Sequence, residues 1–242
     1  MREPNRSRSK LSKSACASCV RSQSGPFSGL SDYMLRRLEG VKTKGVFARG
    51  QVLFQAGNRP LALHCIENGL VKLCRVGPAG KEQIIRLAVA GELLGYHALL
   101  AEKPHDLYAQ AVTDVEVCCF PVDSVRSLLR GAPPMMRNLA RMMAGEMAGL
   151  HDRLVQRSQQ KAEERLIAFL LRCAEGLRGG ADESVEIPLS RQEIADFIGA
   201  APETVIRALG RLQRDRLIRV HGRRLEIPRA DKLAAKLQTA LY

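Results

Sequence analysis

The sequence predicts an α+β chain in three parts: an N-terminal β roll, a long helix and a C-terminal winged helix-turn-helix. Between about Phe27 and Val122, short apolar runs alternate with glycine and Asn-Gly, the mark of a compact antiparallel roll or sandwich. After Ala132-Pro133-Pro134 the apolar positions recur in steps of four and three, which is a helical seam. From Ile187 to Pro228 a capping box, a glycine turn, a placed proline and a basic hairpin follow one another. That order makes two short helices and a wing.

Composition sets the limits. A chain of 242 residues holds about two domains. No apolar run approaches the ~18 residues of a membrane span. The basic N-terminus MREPNRSRSKLSKS lacks the apolar core of a signal peptide, so a cytoplasmic protein without a membrane partner is expected. Seven cysteines, an odd number, fit reduced thiols or metal ligands better than a disulfide scaffold. The formal charge of +13 and pI of about 9.8 suggest a polyanionic partner. That charge is diffuse, however, and does not by itself separate a DNA binder from a basic soluble protein.

Residues 1–25 are rich in Ser, Arg and Lys and have no core of their own. They carry Cys16-x-x-Cys19, which reads equally as a sensor, a structural clip or two thiols on a loose tail. A thiol-dependent redox enzyme is the rival from another class. It is disfavoured because the pair lies in a polar tail, not at an activating strand–helix junction. The roll occupies residues 26–132, with runs such as VFARGQVLFQAG, LALHCIENGLVKLCRVG and QIIRLAVAGELLG. Within it ENGLVKL predicts a hairpin, because Asn-Gly supplies the positive φ angles of a tight turn. Cys65 and Cys74 fall on strands and read as core residues.

A helix follows over 133–157, with Met136, Ala140, Met143, Met147, Leu150 and Leu154 as its seam. Beyond Leu154 the seam positions are Arg157 and Lys161, so it stops there. The seam is either a face packed on its own domain or the contact with a twin helix. Its length, with little else to bury it, favours the twin. The last domain spans 158–242 and opens with an amphipathic helix. Ala162, Leu166, Phe169, Leu170 and Cys173 form its apolar face, and Gly176 to Gly180 end it.

In IPLSRQEIADFIGAAPETVIRALGRLQRDRLIRVHGRRLEIP, Ser190 and Glu193 form an S-x-x-E capping box. Gly199 closes that helix in a left-handed turn, and Pro202 opens the next one where its missing N–H costs nothing. Val205, Ala208, Leu209 and Leu212 bury the second helix. Glu203 and Arg207 then share its exposed N-terminal face, where a recognition helix meets base edges in the major groove. Arginine can bond guanine through two donors, and glutamate can accept from cytosine. Arg191, Gln192, Thr204 and Ile206 join the candidate DNA-contacting set. Arg211 and Arg214 suit phosphates, as do Arg223 and Arg224 on the wing. The bland alternative is an i,i+4 salt pair between Glu203 and Arg207, but the surrounding features agree on the reader.

This segment resembles the winged helix of the Crp–Fnr family of bacterial transcription regulators. The family's E-T-[VI]-x-R is matched by Glu203, Thr204, Val205 and Arg207. The resemblance covers nearly the whole chain, with a cyclic-nucleotide-binding-like roll carrying G-E-L at Gly91-Glu92-Leu93. KAEERLIAFL, GEMAG and YAQAVTDVEVC bring it closest to the oxygen-sensing Fnr branch. The resemblance implies a homodimer that reads palindromic double-stranded DNA, bends it and recruits RNA polymerase as an activator. Where the Fnr reader has a serine before its arginine, this chain has Ile206, which suits a thymine methyl. A TGA-like half-site core is therefore expected.

The resemblance also bears on the signal. Cyclic AMP binders in the family hold phosphate with an Arg-Ser pair where this chain has His105 and Asp106. The aspartate would repel a phosphate, so cyclic AMP is not the expected ligand. Haem through His97 or His105 stays open as an alternative, as does another small molecule in the roll. An Fnr-type iron–sulfur cluster would use Cys16, Cys19 and Cys118, but the fourth expected cysteine is absent and Ser24 or Gly25 stands there. Cys119 would point to the opposite face from Cys118. The family's charge-repelling aspartate in the dimer helix corresponds to Leu150, which predicts a dimer independent of any cluster.

Overall fold

The computed structural model describes residues 25–78, 80–177, 185–222 and 224–240. Helix α1 (Asp32–Val41) begins where Ser31 Oγ accepts from the Met34 amide. The roll then takes β1 (Thr43–Phe47), β2 (Val52–Phe54), β3 (Ala62–Asn68), β4 (Val71–Val76), β5 (Glu82–Ala88) and β6 (Leu93–Leu94). After α2 (Tyr96–Ala101) it closes with β7 (Tyr108–Ala111), β8 (Val115–Pro121) and α3 (Val122–Leu129). Two antiparallel four-stranded sheets result, ordered β1-β8-β3-β6 and β2-β7-β4-β5. Between them Ile66, Val71, Leu73, Leu94, Ala109, Val115 and Val117 make a dry core.

The expected hairpin at Asn68-Gly69 does not form. Gly69 does take the left-handed turn, at φ +97°, and a Cβ there would meet the Asp114 carbonyl at 2.4 Å. The strands it joins go to opposite sheets: β3 pairs with β8, and β4 with β7 and β5. The Leu70 amide donates to Thr113 Oγ1 and the Leu70 carbonyl accepts from Val112. The chain therefore turns around the β7–β8 corner. The local signal fixes a turn, and long-range pairing decides which strands it connects.

Helix α4 (Pro133–Gln159) starts on its proline. Met135 and Leu139 are fully buried against the roll with Phe27, Phe120 and Leu128. The expected seam lies beside that face and is exposed: Met136 43%, Met143 43%, Met147 56%, Leu150 45% and Leu154 66%. The seam as a whole therefore does not pack on its own domain, where a different stripe does that work, although Leu150 also borders the roll's cavity. The chain straightens at Gln160 and restarts as α5 (Ala162–Leu177).

The reader follows as β9 (Val185–Ile187), α6 (Arg191–Ile198), α7 (Pro202–Arg214), β10 (Arg219–His221), β11 (Arg224–Ile227) and α8 (Ala230–Ala240). Its core of Leu166, Leu170, Ile194, Val205, Leu209, Leu225 and Leu233 is continuous with Leu70, Cys74, Ile84 and Val112 from the outer face of the roll.

Candidate nucleic-acid interface

The reader is built from its caps outward. Ser190 Oγ accepts from the Glu193 amide at 3.1 Å, and Glu193 Oε2 accepts from the Ser190 amide at 2.9 Å. That capping box starts α6. Gly199 ends it at φ +65°. The freed carbonyls there are taken by Arg165 of α5, which donates to Ile198 O at 2.9 Å, Gly199 O at 3.2 Å and the Gln160 carbonyl at 2.6 Å. One guanidinium thus ties the α4–α5 joint to the turn of the helix-turn-helix. The Arg157 side chain fills the space a Cβ on Gly199 would need. Neither arginine carries a sequence signal for this role.

Helix α7 buries Val205, Ala208, Leu209 and Leu212, which places Glu203, Ile206 and Arg207 on the outside. Ile206 is 56% exposed, which leaves its apolar side chain open to contact on that face. Arg207 reaches Thr204 Oγ1 at 3.5 Å. Among the described residues it forms no ion pair with Glu203, so the salt-pair alternative fails. Arg214 and Gln192 are exposed, and Gln192 donates to Asp196 at 3.0 Å.

Two expected contacts are engaged elsewhere. Arg211 Nε donates to Glu163 Oε2 of α5 at 2.6 Å. Lys236 converges on the same carboxylate at 3.4 Å and on Asp215, so Arg211 braces the back of α7 through Nε while about half of its side chain stays exposed. Arg191 is partly buried and donates to the Gly222 carbonyl at 3.0 Å, making it a strut under the wing tip. Burial lowers its pKa. The wing itself forms as expected: β10 pairs with β11, and Gly222 turns at φ +57°. Arg224 pairs with Glu186 at 3.2 Å, while Arg223 lies outside the described residues.

In the roll, a cavity of about 230 Å³ is lined by Phe54, Leu73, Arg86, Tyr96, His105 and Leu150, among others. Its polar groups are largely paired. Glu146 of α4 accepts from Arg86 at 2.7 Å and Tyr96 at 2.7 Å, and lies 3.2 Å from His97 Nε2. Burial alone would raise the pKa of Glu146, but His97, Arg86 and Tyr96 outweigh it and lower it. Glu92 of G-E-L pairs with Arg86 at 2.9 Å and with Arg172 of α5 at 2.5 Å. His105 is buried and stacked on Phe54 at 4.1 Å; burial lowers its pKa against the pull of Asp106.

Cys118 is buried, and its thiol donates to Glu67 at 3.1 Å. Burial first and that carboxylate second push its pKa up to about 12. A cluster ligand must be a thiolate, so Cys118 would have to give up this hydrogen-bonded proton to a bound metal before serving as one. Cys16 and Cys19 lie outside the described residues. Cys119 packs with the inter-sheet core, on the opposite face from Cys118, as strand alternation requires.

Comparison with known proteins agrees with this architecture. Residues 44–131 match the cyclic nucleotide-binding domain model, and 164–236 match the Crp-like helix-turn-helix domain. A fumarate and nitrate reduction regulatory protein of Shigella dysenteriae is 32% identical over 223 residues, spanning 90% of this chain and 88% of the relative. Its counterpart in Escherichia coli strain K12 is 31% identical over the same spans. A solved Crp/Fnr family transcriptional regulator from Thermus thermophilus shares the fold, with TM-score 0.65 at 23% identity over 82% of this chain and 100% of the other. No helix among the described residues is long and apolar enough to cross a membrane. With the caps, turn, reading helix and wing in place on a roll of this type, the chain belongs to the Crp–Fnr family of DNA-binding transcription regulators, on its Fnr branch.

Proposed function

We propose that this regulator acts as a homodimer, paired through α4, that reads a palindromic duplex with Glu203, Ile206 and Arg207 and recruits RNA polymerase. The observation that carries the reading is the joint exposure of two surfaces. One is the apolar seam Met136, Ala140, Met143, Met147, Leu150 and Leu154 on a 27-residue helix. The other is the outer face of α7. A seam of that length is matched by its own copy, and two readers in a symmetric dimer meet half-sites about 34 Å apart. The dimer does not depend on a metal cluster, because Leu150 continues the apolar seam. Its place of work is the cytoplasm, where the DNA is.

The thiol-enzyme alternative rests on Cys16 and Cys19, which lie outside the described residues, and the rest of the chain adds little to it. Among the described residues Cys74, Cys118 and Cys173 have pKa values pushed up to about 12, burial being the first cause in each, so none is a ready nucleophile. Cyclic AMP is likewise not the ligand we propose, since Glu92 is engaged with two arginines and Asp106 lines the cavity.

Sedimentation of metal-free protein at micromolar concentration should give a dimer. Mobility shift should favour a duplex with inverted TGA half-sites over a scrambled one. A monomer, or equal binding of both duplexes, would overturn the reading.

A further inference from the structure

Strand β4 reads Val71-Lys72-Leu73-Cys74, and alternation sends Val71 and Leu73 into the core between the sheets. Leu70, Lys72 and Cys74 share the outer face. There Leu70 and Cys74 join the reader's core cluster with Ile194 and Ile198 of α6. Lys72 lies in the middle of this apolar contact, only 8% exposed. Its Nζ lies 2.8 Å from Glu82 of the neighbouring strand and 2.8 Å from Glu193 Oε1 of α6. The other oxygen of Glu193 accepts from the Ser190 amide.

We propose that Lys72 of the sensor roll is a positioning residue for the DNA reader, holding α6 through the same Glu193 carboxylate that closes its capping box.

Three physical points support the assignment. A cation at a helix N-terminus is disfavoured by the helix dipole, so Lys72 is held there against that field by its two carboxylates, Glu193 across the contact and Glu82 on its own sheet. A packed apolar side chain would fill the position without the cost of desolvating a charge, whereas a buried cross-domain pair with fixed geometry selects one docked register. Two further contacts flank the first and share its direction: Lys81 pairs with Asp196 at 3.0 Å, and Arg49 donates to the Pro188 carbonyl at 3.1 Å. Burial would lower the pKa of Lys72, yet the bonds to Glu193 and Glu82 outweigh it and raise it. The lysine therefore stays charged at neutral pH.

Fixing α6 fixes α7, because the two are joined through the Gly199 turn. The docked face leaves Glu203, Ile206 and Arg207 exposed, so docking presents the reading helix. A dimer must set two such helices on half-sites one turn of DNA apart. A reader free to swing loses orientational entropy on binding.

The inference rests on the DNA-binding reading, and the test separates the two. Full-length wild type, Lys72→Met, Lys72→Arg and Glu193→Gln are compared by hydrogen exchange of α6 and of β4–β5. Affinity is measured for the inverted-TGA duplex and its scrambled counterpart. Glutamine keeps the cap acceptor while losing the ion pair, so Glu193→Gln carries the test if Lys72→Met fails to fold. Lys72→Met and Glu193→Gln should speed exchange in both segments and weaken specific binding about tenfold, with the specific-to-scrambled ratio held within about twofold. Lys72→Arg should restore both readouts. Unchanged exchange and affinity in both variants would overturn the assignment, and so would a rise in affinity. Failure of wild type to prefer the TGA duplex would overturn the functional reading, while the exchange arm would still report on the docking contact.

Discussion

The cavity of the roll and the outer face of α7 both carry arginines and glutamates, but they use them in opposite ways. Around the cavity the charges are taken up inside the protein: Glu146 holds Arg86, Tyr96 and His97, and Glu92 holds Arg86 and Arg172. On α7, Glu203, Arg207 and Ile206 stand exposed, and Arg207 reaches only as far as Thr204. The same residue types are structural where their bonds are satisfied and available for recognition where they are not. Arg211 combines both within one helix, since its Nε bonds Glu163 while about half of its side chain stays exposed.

Substitutions should divide along that line. Glu146→Ala strands the buried Tyr96 hydroxyl, takes the carboxylate from His97 and leaves Arg86 with Glu92 alone, and should cost about 3 kcal/mol of stability, read by denaturant unfolding. An unchanged midpoint would mean that the cavity charges are not structural.

The same side of the comparison predicts acid sensitivity. His64 lies between Phe47 and Phe54, with its Nδ1 buried and, among the described residues, without a hydrogen-bond partner. Burial first, then the nearby His105, lower its pKa to about 4. The unfolded chain binds this proton near pH 6.5, so the folded state favours the neutral ring. That contribution is complete above about pH 6.5 and is lost as pH falls toward about 4, a change of up to about 3 kcal/mol. His64→Phe should flatten the fall in stability across that window; an unaltered slope would assign it to other groups.

On the reading side, Arg207→Ala should leave unfolding unchanged. It should weaken DNA binding by about 1–3 kcal/mol and relax discrimination at one G·C pair. Equal losses on all sequences would instead make Arg207 a phosphate contact. The smallest effect belongs to the cap: Ser190→Ala should cost about 1 kcal/mol of reader stability, seen as earlier melting without a change in base preference.

Much of this was legible from local text. The capping box, the Gly199 turn, Pro202 and the alternation separating Cys118 from Cys119 all rest on neighbours in sequence. The Asn68-Gly69 turn was legible as a turn but not as a crossing between sheets, because strand partners lie dozens of residues away. The role of Lys72 had only a faint signal, a cation flanked at two residues on either side by Leu70 and Cys74 on one strand face. Arg165 and Arg157 had none.

By itself, then, the sequence determined the elements, their order, the reading helix and the apolar seam, since propensity, capping and periodicity act within a few residues. Tertiary structure decided which charges remain free, which stripe of α4 faces the roll and how the reader docks on its own sensor. Those outcomes depend on distances between residues far apart in the chain, which no local pattern encodes.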